Sequence, residues 1–440
     1  MIEWNVFRSL KLKESASVIA SLVLIALASF FVVLYRGIGL PDFGDASDDL
    51  RSASSILSGE GYLREGLAYP LFRPPGYPFA IASIWKLLGV NSIIALKLFN
   101  ISLHLFSSFI IFKVLRRNHN LQPSLAGIAI FGLNPFLLLP LSGIRTEPLI
   151  LFLFLAFSYL LTETFSFPKL TLICLLALFI TSVRPEYLFA ILVICIVLMA
   201  KQFRSRESII NIVGIILILS LSLTWWGIQN KKATDSFLIL TNATDYQLWL
   251  GSTEQIYENY AISLKFDPDF NSKQFNAVQS EIASNISKWG DEYSGASIGA
   301  KSKFWRNEYI ENVKASPVKY FSKLFEKMFI FWRPFVNPSA YGVKASAISM
   351  LILLPITAGT IIRLIMLRRK ALKDIFILSY LSGLGVLTAV HMLQIPDHRY
   401  KFPLLIPLSS IVLAPLIWDL FIFVFNKIGI SAEARKNKSD

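Results

Sequence analysis

Cysteine is nearly absent from this chain: of 440 residues only Cys174 and Cys195 carry a thiol, and both fall inside apolar runs. That excludes a disulfide framework and a thiolate zinc site, and leaves the two residues as core filler. Charged residues are also scarce, at 16%, which sets the chain apart from ordinary soluble domains. No P-loop or dinucleotide fingerprint occurs, so no nucleotide pocket is expected. None of the apolar runs has Asp or Glu at its middle, where an ion-coupled carrier usually places its site.

What is there instead is apolar. Hydrophobic residues make up 54% of the chain and the mean hydropathy is +0.56, which places it in the membrane class. A formal net charge of +14 suggests nucleic acid at first sight. The Lys and Arg residues, however, cluster at the ends of apolar runs, where a membrane protein carries its topological anchors. No nucleic-acid partner is expected.

With about 20 apolar residues taken as one bilayer crossing, the sequence predicts an all-α polytopic membrane protein of about ten transmembrane helices. These are Ser17–Leu34, Ile93–Leu115, Leu125–Leu141, Pro148–Leu161, Leu170–Val183, Tyr187–Met199, Ile209–Trp226, Ala345–Met366, Ile375–Leu393 and Leu404–Phe425. The first is read as a retained helix and not a cleaved signal. Arg8, Lys11 and Lys13, then Arg116 and Arg117, Lys201, Arg204 and Arg206, Arg368 to Lys373, and Lys427 to Lys438 alternate onto one side. That side is expected to be cytoplasmic, with both termini on it. The opposite face receives the loop 36–91, the turns around 142–147, 183–186 and 394–402, and a segment 227–344 with 14 Lys/Arg against 12 Asp/Glu. Three regions follow: 1–226, the external segment 227–344, and 345–440. Lys97 is expected to snorkel from the outer end of the second run. His104, deeper in that run, reads as an interhelical residue with a satisfied hydrogen bond.

The polar clusters all fall on the outer face. In the first loop, Leu50, Ala53, Ile56 and Leu57 recur at helical spacing, which predicts an interfacial helix starting at Asp45. Asp45 reads equally as the N-cap of that helix and as a catalytic carboxylate, with Asp48 and Asp49 in its first turn. Arg73-Pro74-Pro75-Gly76-Tyr77-Pro78 is a rigid turn that would hold Arg73 and Tyr77 near headgroup level, where a guanidinium grips phosphate in two parallel bonds. Arg145-Thr146-Glu147-Pro148 offers a second carboxylate at the same depth. Arg184-Pro185-Glu186 repeats that pattern but reads as structure, not chemistry. The turn Asp397-His398-Arg399-Tyr400-Lys401 supplies a second phosphate contact. Near the end of the external segment, Ser316-Pro317 precedes an apolar stripe of Phe321, Leu324, Phe325 and Met328, a second interfacial helix.

Taken together, Asp45, Ile56-Leu57-Ser58-Gly59, the Arg73–Pro78 turn, Asn134-Pro135 with Thr146-Glu147, and Arg399-Tyr400 resemble the GT-C glycosyltransferase superfamily. The branch they are most similar to is the protein O-mannosyltransferase and aminoarabinose-transferase type. That resemblance implies an enzyme that takes a sugar from a polyprenyl monophosphate carrier and transfers it, with inversion, on the non-cytoplasmic side. The acceptor would be a glycan, a lipid or a protein. It implies Asp45 as the catalytic acid position, Glu147 as the second, and Arg73 and Arg399, with Tyr77, Tyr400 and Lys401, as donor-binding positions. A tyrosine usual four residues after the aspartate is Asp49 here, which keeps Asp48 and Asp49 as candidate acids. Asp45 and Glu147 could share a divalent cation, and the sequence leaves metal dependence open. A bacterial inner membrane is the expected location. The reading from another class is a transporter or flippase of a lipid-linked or anionic solute.

Overall fold

The structure is a computed structural model that describes residues 12–39, 45–62, 74–89, 91–163, 166–201, 206–234, 236–239, 243–253, 267, 269–290, 292–394 and 396–427. Arg73 lies outside these residues, and of Asp45 only the backbone is described. All regular structure among the described residues is helical, as the apolar periodicity predicts.

The helices are α1 (Leu12–Tyr35), α2 (Asp45–Leu57), α3 (Gly76–Leu88), α4 (Ile93–Arg116), α5 (Leu121–Gly132), α6 (Pro135–Leu138), α7 (Glu147–Leu161), α8 (Phe167–Val183), α9 (Tyr187–Lys201) and α10 (Arg206–Thr234). There follow α11 (Ala243–Ser252), α12 (Phe270–Trp289), α13 (Glu292–Gly295), α14 (Ile298–Ala315), α15 (Pro317–Trp332), α16 (Pro338–Tyr341), α17 (Val343–Leu367), α18 (Ile375–Leu393) and α19 (Phe402–Lys427). Local chemistry sets many of the starts. Ser92 Oγ accepts from Ala95 N at 3.2 Å to open α4, and Asp374 Oδ1 accepts from Phe376 N at 2.8 Å to open α18. Pro at the first or second position opens α6, α7, α8 and α15, where a missing N–H breaks no helical bond.

Every predicted apolar run is helical, but they are not equivalent crossings. Among the described residues, six helices are long and apolar enough to span a bilayer: α1, α4, α10, α17, α18 and α19. The third run is two pieces bent by 54° between Gly132 and Pro135. Leu133 and Asn134 break it, and Asn134 Oδ1 restarts the helix by accepting from Phe136 N at 3.0 Å. Helices α7, α8 and α9 have only 15, 17 and 15 residues. At 1.5 Å per residue they reach about 22–26 Å, short of the ~30 Å hydrocarbon core. Their ends carry the polar turns from which the site described below is built.

The core runs through α4, α7, α8, α9, α18 and α19, with Phe154, Phe157, Ile191, Tyr380 and Leu404 fully buried in it. Helix α5 packs between α4 and α19, where Gly127 faces Leu115 and Ala414, and Gly132 lets it approach Ile25 of α1. Between α10 and α17 a separate aromatic cluster of Trp249, Trp305, Tyr293 and Ile282 joins α11, α12, α13 and α14. It is pinned by Arg306, which donates to both Asp245 oxygens at 3.1 and 2.9 Å. Helix α15 leaves Val318, Phe321, Phe325 and Phe329 exposed along one side, the face that a helix lying on a membrane surface presents.

Lys97 departs from the sequence reading. It does not snorkel: the residue is 1% exposed and donates to Gly37 O at 2.8 Å, tying α4 to the end of α1. A backbone carbonyl replaces water as a partner for its ammonium. His104 behaves as expected, with Nε2 2.9 Å from Gly132 O and its ring stacked on Phe131.

Candidate functional site

Helix α7 begins, α8 ends, α9 begins, α18 ends and α19 begins at the same end of the bundle. Three short polar turns therefore meet there: 142–147, 184–186 and 397–401. Glu147 is the first residue of α7 and is buried, with 8% of its surface exposed. Its Oε1 lies 3.8 Å from Arg184 Nη2 and 3.8 Å from Arg399 Nε. A carboxylate at that depth is tolerable because two cations face it.

Arg184 is the hub of the cluster. Its Nε and Nη2 both donate to Thr146 Oγ1, at 3.0 and 2.6 Å. Its Nη1 is 3.4 Å from Glu186 Oε1, and its guanidinium lies over the Tyr400 ring at 4.2 Å. Burial works against its charge, but Tyr400, Glu186 and Glu147 outweigh that and hold it above its ordinary range. Arg399 Nε pairs with Asp397 Oδ2 at 2.7 Å, and its Nη2 donates to Tyr400 Oη at 3.1 Å. The Tyr400 ring also stacks on His391, which stacks on Phe331. Asp397 Oδ1 accepts from Arg399 N at 3.0 Å, so the turn caps itself.

Lys401 faces elsewhere. It is 1% exposed, and its ammonium donates to Phe331 O at 2.6 Å and Arg333 O at 2.8 Å. That arrangement ties the end of α15 to the start of α19.

Glu147, Arg399 and Asp397 lie on the wall of a cavity of about 550 Å³. Arg36 and Arg145 line the same cavity, and Pro135, Leu139, Leu151, Ile348 and Ile352 give it an apolar side. A pole of arginines and carboxylates opening onto an apolar slot suits an amphiphile with an anionic head. Asn100 Nδ2 holds the cavity's edge by donating to Gly143 O at 3.0 Å.

Of the residues singled out in the sequence, Glu147, Arg399 and Tyr400 converge. Asp48 and Asp49 sit in the first turn of α2, with Asp49 buried, and are not part of the cavity lining. Tyr77 is buried in α3. Asp45 starts α2, as predicted, while its side chain and Arg73 lie outside the described residues. Arg184, read from the sequence as structural, joins Thr146, Glu186 and Tyr400 and does not line the cavity, whereas Arg36, Arg145 and Asp397 do. The signal for Arg184 was the repeated Arg, acid and Pro pattern at 145–148 and 184–186. Among the described residues no three His, Cys, Asp or Glu side chains converge as a metal site.

No family model matches the chain, and no curated protein matches its sequence. A solved structure does match in fold: the archaeal oligosaccharyltransferase AglB from Archaeoglobus fulgidus in complex with an inhibitory peptide and a dolichol-phosphate. The TM-score is 0.50 at 9% identity, over 96% of this chain and 53% of that one. The chain thus spans about half the length of that protein. At this identity the likeness establishes a shared fold of polytopic membrane helices, and that fold is the one the arginine and carboxylate cluster is built on.

Proposed function

We propose that the chain is a GT-C type glycosyltransferase that moves a sugar from a polyprenyl monophosphate to an acceptor on the non-cytoplasmic side of a membrane, with inversion. The observation that carries this reading is the placement of Glu147 between Arg184 and Arg399 on the wall of a cavity that also has Arg36, Arg145 and an apolar slot. The slot suits a polyprenyl chain and the arginines its phosphate. The fold neighbour, whose structure holds a dolichol-phosphate, supports the same class of donor. Arg116, Arg117, Lys201 and Lys373 lie at helix ends away from the cavity, and the positive-inside tendency supports reading the cavity as external.

In this mechanism the acceptor oxygen attacks the anomeric carbon and the bond from that carbon to the phosphate oxygen breaks. The electron pair leaves with the lipid phosphate. Arg399, with Arg36 and Arg145, stabilises the charge growing there. A hydroxyl acceptor gives its proton to a carboxylate, a step typically worth about 10²–10⁴-fold. Asp45 is proposed for this role, with Glu147 as the second carboxylate and Asp48 and Asp49 as the neighbouring acids. Arg73 and Tyr77 are proposed on the donor side of the first loop.

The test uses the full-length protein in detergent with polyprenyl monophosphates that each carry one radiolabelled hexose. The expected result is labelled product with release of polyprenyl monophosphate. Asp45→Asn is expected to abolish transfer in a protein that stays folded and membrane-inserted; normal turnover in that variant removes Asp45 from the mechanism. Running the assay with and without chelator decides whether a divalent cation shared by Asp45 and Glu147 takes part. The absence of product in detergent, together with lipid translocation in closed vesicles, would establish a flippase in place of an enzyme.

A further inference from the structure

A column of aromatic rings braces the charged cluster. Phe331, in the last turn of α15, stacks on His391 with ring centroids 4.9 Å apart and planes inclined by 16°. His391, in the last turn of α18, stacks in the same way on Tyr400 at 5.0 Å and 19°. Both spacings fall in the range of attractive offset stacking. The column ends on cations: the Arg184 guanidinium lies 4.2 Å from the Tyr400 centroid, and that of Arg399 lies 5.0 Å from it. Phe331 has no exposed surface and His391 has 4%, so close packing leaves neither ring room to turn aside.

Backbone contacts fix the far end of the column. Lys401 donates to Phe331 O and Arg333 O at 2.6 and 2.8 Å, and Lys327, one turn earlier in α15, donates to Gly251 O. Gly251 in turn lies against the end of α18, so close that a Cβ there would meet Leu393 O at 2.4 Å and Gln394 C at 2.8 Å. Helices α11 and α15 are thus locked to the end of α18 that carries His391. Neither Phe331 nor His391 belongs to the cavity lining. What their rings can set is the place of Tyr400, and with it the two guanidiniums that lie 3.8 Å from Glu147.

We infer that His391 is a positioning residue: its ring carries the placement of α15 to Tyr400, and Tyr400 holds Arg184 and Arg399 where both face Glu147. This rests on the glycosyltransferase reading and makes the segment 227–344, which ends in α15 and α16, part of the catalytic unit. The flat ring does this and not the imidazole nitrogens, because stacking needs only a π surface. Cations already in place when the leaving phosphate gains charge are the ones that stabilise it, and displacing such groups from a remote position is costly.

The experiment compares His391→Phe, which keeps a ring, with His391→Asn, which keeps a polar side chain and loses the ring, in the full-length protein in detergent. Turnover is followed against donor concentration and pH. His391→Asn is expected to lower kcat about tenfold at unchanged donor KM, and His391→Phe to restore it with the wild-type pH profile. Phe331→Leu breaks the column from the other helix and is expected to match His391→Asn, which keeps the test open should that variant not fold. A second readout needs no turnover: fluorotyrosine in place of Tyr400, read by fluorine NMR. One narrow resonance is expected in the wild type and in His391→Phe, and a broadened or split one in His391→Asn and Phe331→Leu. A failed transferase assay and a failed brace therefore remain distinguishable. His391→Phe as impaired as His391→Asn would overturn the inference, since the nitrogens would then be what matters. Wild-type kcat or an unchanged narrow resonance in His391→Asn would overturn it as well.

Discussion

Arg184 lies with its guanidinium 4.2 Å above the ring of Tyr400 while donating twice to Thr146, the residue before Glu147. One side chain thus fixes the start of α7 against the turn that opens α19. These are the two elements that carry the second acid and the late arginine.

Under the proposed function Arg184 acts by positioning, and its replacement would separate turnover from binding. Arg184→Lys keeps the charge but loses the planar fork and the ring contact. The expected outcome is a kcat lower by about 10–100-fold, or about 1.4–2.7 kcal/mol in barrier, with donor KM near the wild-type value. A raised KM at unchanged kcat would instead make Arg184 a binding residue.

Arg399 and Glu147 should be coupled. Arg399→Gln is expected to raise donor KM at least tenfold, and Glu147→Gln to lower transfer. Their double variant should be less impaired than the product of the singles, by about 0.5–3 kcal/mol, as for groups within one network. Simple additivity in that cycle would show that the 3.8 Å approach carries no energetic weight.

Gly76 tests how α3 is held against α8. A Cβ there would meet Ser182 C at 2.6 Å and Val183 N at 2.7 Å, both backbone atoms that cannot rotate away. Gly76→Ala is expected to destabilise the protein by about 1–3 kcal/mol and to reduce activity, because Arg184 follows Val183. Gly385→Ala, with open space around it, should instead leave stability equal or slightly higher. Thermal unfolding of both variants in detergent measures the contrast.

Lys327 predicts a pH dependence. Its ammonium is buried and donates to Gly251 O, and burial, with Lys323 adding to it, pushes its pKa down to about 8 from 10.5. Between those values the unfolded chain binds more protons than the folded one, so this group makes stability rise with pH across that window. Below pH 8 both states are protonated and the slope vanishes. Lys327→Met should flatten the rise in melting temperature between pH 8 and 10, and identical profiles in the two proteins would refute the assignment.

Much of the architecture was legible in the residue order. Apolar runs with flanking Lys and Arg gave an all-α membrane architecture, because burying helical backbone in hydrocarbon allows little else, while among the described residues six helices, or seven with the bent pair, are long enough to cross. Asp45 was recognised as a helix start, and Glu147 and Arg399 were each singled out, but their approach to one another at 3.8 Å was not. What the residue order left open was which turn does what. Arg184-Pro185-Glu186 was read as structure, but the partners that Arg184 holds together, Thr146 and Tyr400, are remote in sequence and could not be named from it. Lys401 looked like a headgroup contact, yet its ammonium meets the Phe331 and Arg333 carbonyls. Lys97 was taken to snorkel, because nothing local announces that Gly37 O lies within reach.

The sequence alone determined that this is a helical membrane protein with its charged turns segregated to the two ends, since hydrophobicity and charge asymmetry act residue by residue. Only the tertiary structure decided which charges share a cavity, because the convergence of α7, α8, α18 and α19 depends on packing between segments far apart in the chain. The short spans α7 to α9 are where the two meet: their length is written in the sequence, but the pocket their ends enclose exists only once they pack.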